Sequence, residues 1–160
     1  MLSDQYHLGI QRTIDLLVGE TSIYQYLFTY RGSSSLSILS GLNSTEYGAA
    51  HADDLIYMFN PHLEELEFPM MRSETDRQVR DYMVKLWTNF AKSGYPSTPG
   101  EFGFHWTELN KDDPKYLKID RIPSMTHDFD KLNRLGFWDK MFPLESVDNV
   151  DVDFSAKEGT

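Results

Sequence analysis

Two periods alternate along this chain, one of three to four residues and one of two. Tyr6, Ile10, Ile14 and Leu17 recur at helical steps, Ser3 stands where an N-cap belongs with Asp4 at the positive end, and Gly19 follows; the pattern predicts a helix over 4–18. In the next run, IYQYLFTY, Tyr24, Tyr26, Phe28 and Tyr30 alternate with Ile23, Gln25, Leu27 and Thr29. A strand over 23–30 would therefore carry apolar groups on both faces, as an inner strand covered on two sides does. Arg31-Gly32 ends it, and the serine-rich stretch to Tyr47 holds turn formers without periodicity and reads as a surface loop.

Asn60-Pro61 and Phe68-Pro69 break the chain on either side of Glu64, Glu65 and Glu67, which read as a solvated acidic face. The clearest helical signal follows. Ser73 and Asp76 have capping-box spacing, Val79, Met83, Leu86, Trp87 and Phe90 form one stripe, and Gly94 and Pro96 stop the element. Helical spacing assigns Trp87 and Phe90 to the core, and Asp81 and Lys85 stand at the favourable spacing for a surface pair. From 95 to 114 the chain is turn-rich with Trp106 embedded, and YLKI at 116–119 predicts a short strand. A further helix over about 128–140 contains Gly136, which costs about 1 kcal/mol relative to alanine in a helix interior. The tail over 144–160 sets Glu145, Asp148, Asp151, Asp153 and Glu158 against Lys157 and is expected to be mobile.

This inventory is unbalanced. A strand apolar on both faces, with one short companion, lacks the neighbours a buried strand needs, which points to a larger α/β sheet whose other strands lie elsewhere and to a functional domain that does not begin at Met1. On its own such a strand would expose unpaired backbone and bare apolar faces, so poor solubility or loose packing is expected of the isolated chain.

Composition narrows the partners. The 160 residues are 40% hydrophobic and 14% aromatic, enough for one globular domain with a core. A net charge of −10 with no basic patch argues against nucleic acid and anionic membranes. The absence of cysteine removes disulfides, thiolate metal sites and cysteine nucleophiles. No apolar run approaches the roughly 20 residues that span a bilayer, and no basic segment followed by an apolar core marks an export signal at the N-terminus. Asn43-Ser44-Thr45 is a glycosylation acceptor pattern, relevant only in the secretory path.

The stretch most suggestive of chemistry is GAAHADDLIYMF, Gly48 to Phe59. His51 follows three small residues and has three readings: a general base on a slim loop, a packed or wet histidine, or a metal ligand in which Asp53 and either His105 or His127 complete the set. Nothing in the sequence positions those metal partners, and no metal or cofactor is expected. Asp53 reads as solvated. His7, His62, His105 and His127 have surface or turn-like surroundings.

Together, YQYLFTYRG, GAAHADDLIYMF, LWTNFAKSGYP, HW with YLKI downstream, and FW followed by MFP are similar, in this order and spacing, to the C-terminal portion of type B carboxylesterases. That family includes cholinesterases and the general and juvenile-hormone esterases of insects. The resemblance runs from Ser3 to Pro143. It implies that 1–143 is the C-terminal part of a carboxylesterase type B domain, an incomplete α/β-hydrolase sheet with helices packed on a mostly parallel core. It also assigns His51 the role of triad general base, and Asp54, the acidic residue three positions on, that of a supporting carboxylate that fixes the loop.

The serine nucleophile and triad acid lie upstream in such proteins. No G-x-S-x-G elbow and no HGGG-type oxyanion segment occur here, so the chain alone is expected to be inactive. The implied activity of the complete protein is hydrolysis of small carboxylic esters without a cofactor, in a secreted or extracellular setting. The family also contains neuroligin-like adhesion proteins without a working triad, and a truncated, inactive copy is a third reading.

Overall fold

Of the aromatic run, Tyr26–Phe28 forms a regular strand, β1, and its partner is YLKI, β2 (Tyr116–Ile119). In the computed structural model, which describes residues 2–41, 48–59, 73–127 and 135–143, the two strands are parallel. Tyr26 lies opposite Leu117 and Phe28 opposite Ile119. Parallel neighbours need a long crossover. The chain supplies it through a short 3-10 helix (Leu36–Ser40), α2 (Asp53–Phe59) and α3 (Glu74–Ser93). Helix α1 (Leu2–Leu17) precedes the sheet and α4 (Leu135–Met141) follows it.

The sheet is small and incomplete, as expected, but differs in detail. Among the described residues the aromatic strand has two companions rather than one. It lies on the edge of an order β1-β2-β3, in which β3 (Ser124–Thr126) pairs antiparallel with β2, so the sheet is mixed. β3 escapes a periodicity argument because SMT is short and follows Ile122-Pro123, a turn signal. The 23–30 run is also held beyond its regular part: Leu109 N donates to Ile23 O, Leu117 N to Gln25 O, and both Thr29 N and Tyr30 N to Ile119 O.

Helix α3 supplies the centre of the core. Val79, Met83 and Leu86 are fully buried against Leu117 and Ile119 of β2, Ile56 and Tyr57 of α2, and Trp106. Each such side chain contributes roughly 1.5–3 kcal/mol by leaving water. The capping box forms: Ser73 Oγ accepts from Asp76 N and Asp76 Oδ2 from Ser73 N, both at 2.9 Å. Gly94 closes the other end in the left-handed conformation, φ 78°, donating to Phe90 O.

Phe90 is a correction, since it is 46% exposed. It lies beyond the part of α3 that faces β2 and packs edge-to-face with Tyr24, at 5.8 Å between centroids. Trp87 is half-buried, edge-on to Tyr26 at 4.8 Å, and the two line a shallow cavity of about 130 Å³ with Tyr24, Phe90 and Trp106. The Asp81–Lys85 pair is not what forms. Asp81 takes Arg80 at 2.7 Å, and Lys85 reaches Glu101 at 3.9 Å.

Helix α1 starts at Leu2, so Ser3 lies within its first turn and does not cap it. It packs on α4, where the Arg12 guanidinium donates to Phe142 O. The serine-rich stretch read as a loop contains the 3-10 helix, capped by Ser35, whose hydroxyl accepts from Ser37 N. Asn43, His62, Glu64, Glu65, Glu67, the first part of the 128–140 helix and the 144–160 tail lie outside the described residues. Among the described residues, no helix is long and apolar enough to cross a membrane.

Candidate active site around His51

His51 sits in a tight turn between the three small residues and α2, and it is exposed. The turn is closed by Asp53 N donating to Ala50 O at 3.2 Å and Leu55 N to Ala52 O at 3.2 Å. Ala52 takes φ 64°, and Gly48 φ 69°. The left-handed region costs a residue with a Cβ about 1–2 kcal/mol, so the surrounding bonds must hold Ala52 there.

Those bonds come from Asp53. Its carboxylate is 1% exposed, which corrects the expectation of a solvated side chain. One oxygen accepts from Ala50 N and the other from Leu36 N, both at 2.8 Å. Two backbone amides satisfy the buried charge and tie the turn to the 3-10 helix. Asp54, half-buried, accepts from the Tyr26 hydroxyl at 2.8 Å, joining α2 to β1. Burial, and then the Asp54 charge, push the Tyr26 hydroxyl well above the ordinary tyrosine range. Imidazole outward, carboxylates anchored inward: the arrangement presents one nitrogen base at the surface from a braced support.

A second buried carboxylate belongs to α3. Asp76 is 0% exposed and accepts from Ser33 Oγ at 2.6 Å, Ser33 N at 3.2 Å, Tyr30 Oη at 3.0 Å and Tyr57 Oη at 3.2 Å, besides closing its capping box. Burial pushes its pKa up, but the bonds from Ser33 and Ser73 outweigh that and hold the carboxyl well below its ordinary 3.8. Tyr30 and Tyr57 move the other way, raised from 10.0 by burial and by the same carboxylate.

A pH profile follows. With Asp76 depressed, the unfolded chain binds the extra proton, so its stabilisation is complete above the ordinary carboxylate value and is lost as pH falls below it. The raised tyrosines contribute below the ordinary value of 10.0 and lose that contribution as pH rises past it. Urea midpoints measured from about pH 6 down to about pH 3 are expected to fall, and the fall to flatten in Asp76→Asn, which cannot titrate.

Among the described residues, no group of three or more His, Asp or Glu is placed to hold a metal ion. His105 and His127 are both exposed, and His127 Nδ1 lies 3.3 Å from Asp113.

A family model described as "Carboxylesterase family" matches residues 1–138. The chain belongs to the carboxylesterase family. Juvenile hormone esterase of Tribolium castaneum is 31% identical over 88% of this chain and 26% of its own length. Acetylcholinesterase of Bungarus fasciatus is 24% identical over 89% of this chain and 22% of its own. Among solved structures, juvenile hormone esterase from Manduca sexta, with OTFP covalently attached, is similar at a TM-score of 0.56 and 28% identity, over 76% of this chain and 23% of that one. A PNB esterase matches at 0.50 and 20% identity, over 71% and 20%, a likeness of fold alone. The chain thus spans about a quarter, or less, of the length of these relatives, and its architecture is part of an α/β-hydrolase fold.

Within this carboxylesterase-family chain, Tyr26 and Asp54 are brought together beside the turn that carries His51, whereas the buried, bracing roles of Asp53 and Asp76 emerge only from the fold. A signal for Asp76 was present. It stands three residues before Val79 on the buried stripe, so a carboxylate there has to be both capped and covered.

Proposed function

We propose that this chain contributes the general base, His51, to a serine carboxylesterase acting on hydrophobic carboxylic esters through an acyl-serine intermediate. What supports the reading most is the exposed imidazole on a turn whose backbone is locked by the buried Asp53 carboxylate. A base that must reach a hydroxyl on another segment needs an open face and a fixed direction. In this reading His51 takes the serine proton as the oxygen attacks the ester carbonyl and passes it to the departing alkoxide. It then draws a proton from the water that hydrolyses the acyl-serine. Asp54 supports the turn through Tyr26. The serine elbow and the acid belong to sequence this chain does not contain. A secreted setting, with Asn43 as glycosylation acceptor, fits a relative named venom carboxylesterase-6, of Apis mellifera.

Burst kinetics with an activated ester at stoichiometric protein test this division. The chain alone is expected to hydrolyse no faster than a histidine-bearing control protein, and its fusion behind the upstream portion of the Tribolium castaneum enzyme to give an acylation burst with turnover. A burst from the chain alone would overturn the division, and turnover of the fusion that is indifferent to His51 would overturn the base.

A further inference from the structure

The carboxylates at the starts of α2 and α3 are joined by one short stretch of chain. Ser33 gives Asp76 its hydroxyl at 2.6 Å and its amide at 3.2 Å. One residue on, Ser34 O accepts from the Tyr57 hydroxyl at 3.3 Å, and two further on, Leu36 N donates to Asp53 at 2.8 Å. Asp53 then holds Ala50, the residue before His51, with its other oxygen. Ser34 and Ser35, between the two anchors, are 1% and 0% exposed.

The geometry points to Asp76 and Ser33 as positioning residues for His51, an inference that rests on the reading of His51 as the base. Asp53 grips Ala50 and Leu36 with opposite oxygens, so the place of Leu36 sets the direction in which Ala50 is held. The place of Leu36 is set in turn by Ser33, three residues back along a buried segment and fixed on α3 by Asp76. A shift of Leu36 passes through one carboxylate to the backbone beside the imidazole. Proton transfer responds steeply to such shifts, since a misplacement of about 1 Å can cost 100-fold in rate. No proton moves along this path; its contribution is direction. A cluster that merely secured the start of α3 would have no grip on Ala50.

Ser33→Ala removes the 2.6 Å bond and leaves Asp76, Tyr30 and Tyr57 in place, while Ser33→Thr keeps a hydroxyl. In the full 160-residue chain, amide hydrogen exchange followed by NMR is expected to show Ala50 exchanging about tenfold faster in Ser33→Ala and recovering in Ser33→Thr, with Met83 and Leu86 of α3 unchanged. Adding Asp53→Asn to Ser33→Ala is expected to give no more than Asp53→Asn alone, because both cut one path. Should Ser33→Ala fail to fold, Tyr57→Phe, which removes the bond to Ser34 O, carries the same expectation. Unchanged exchange at Ala50, or equal acceleration at Met83 and Leu86, overturns the proposal.

In the fused esterase, Ser33→Ala is expected to lower kcat about tenfold at constant KM, with Ser33→Thr restoring it. Full kcat in Ser33→Ala overturns positioning. A fusion indifferent to His51→Ala disposes of the base while leaving the exchange coupling intact, so the two failures are distinguishable.

Discussion

Replacing Gly32 with alanine is expected to cost at least about 3 kcal/mol of stability; among the described glycines it is the one where an added Cβ meets other atoms within 4 Å. A Cβ at this position would run into Asp76 Oδ1 and the Tyr57 hydroxyl and would come within 2.7 Å of the Tyr30 ring. None of the three can withdraw cheaply. Tyr57 is fully buried and Tyr30 nearly so, and the Asp76 oxygen that would be struck is the one accepting from Tyr30, Tyr57 and Ser33 N. Moving it leaves buried donors unpaired, each worth about 1–3 kcal/mol in desolvation, on top of the overpacking. Gly9→Ala in α1 is the control. Nothing lies within 4 Å of its added Cβ, so it is expected to be neutral or to stabilise by up to about 1 kcal/mol. Urea unfolding of both variants checks this, and equal midpoints would show that the cage around Asp76 is loose.

The cage also marks where one-dimensional reading of the sequence ends. Helix α3 was legible in detail because its signals are local: a capping box at Ser73 and Asp76, a stripe at Val79, Met83 and Leu86, and a stop at Gly94. The strand pair β1 and β2 was legible as two strands, but their parallel register is set by contacts some 90 positions apart, such as Thr29 with Ile119, which no periodicity encodes. His51 stood out through its flanking pattern. Asp53 did not, because an aspartate beside a turn is usually solvated. Its burial depends on Leu36 N arriving from a serine-rich stretch with no period of its own. Gly32 looked like a strand terminator, and only the convergence of Tyr30, Tyr57 of α2 and Asp76 of α3 shows why a side chain cannot stand there.

In the fused esterase, His51→Ala is expected to lower kcat by a factor on the order of 10⁴–10⁶ while leaving KM within a few-fold, the signature of a group that acts in the transition state. The exposed position of His51 makes this a clean measurement, because truncating an exposed side chain opens no cavity in the core. Loss of rate together with loss of fold would argue that His51 serves packing. The turn offers a finer comparison. Ala52→Gly relieves the left-handed strain at φ 64° without touching the imidazole. If the strain is spent on direction, the glycine variant should be as stable as its parent and yet slower by up to about tenfold in kcat, since a slack turn delivers the base over a wider arc. If direction comes from the Asp53 carboxylate alone, the glycine variant keeps full rate and Asp53→Asn loses it. Measured side by side, the two variants say whether the aim of the base is held by backbone conformation or by the buried charge beneath it.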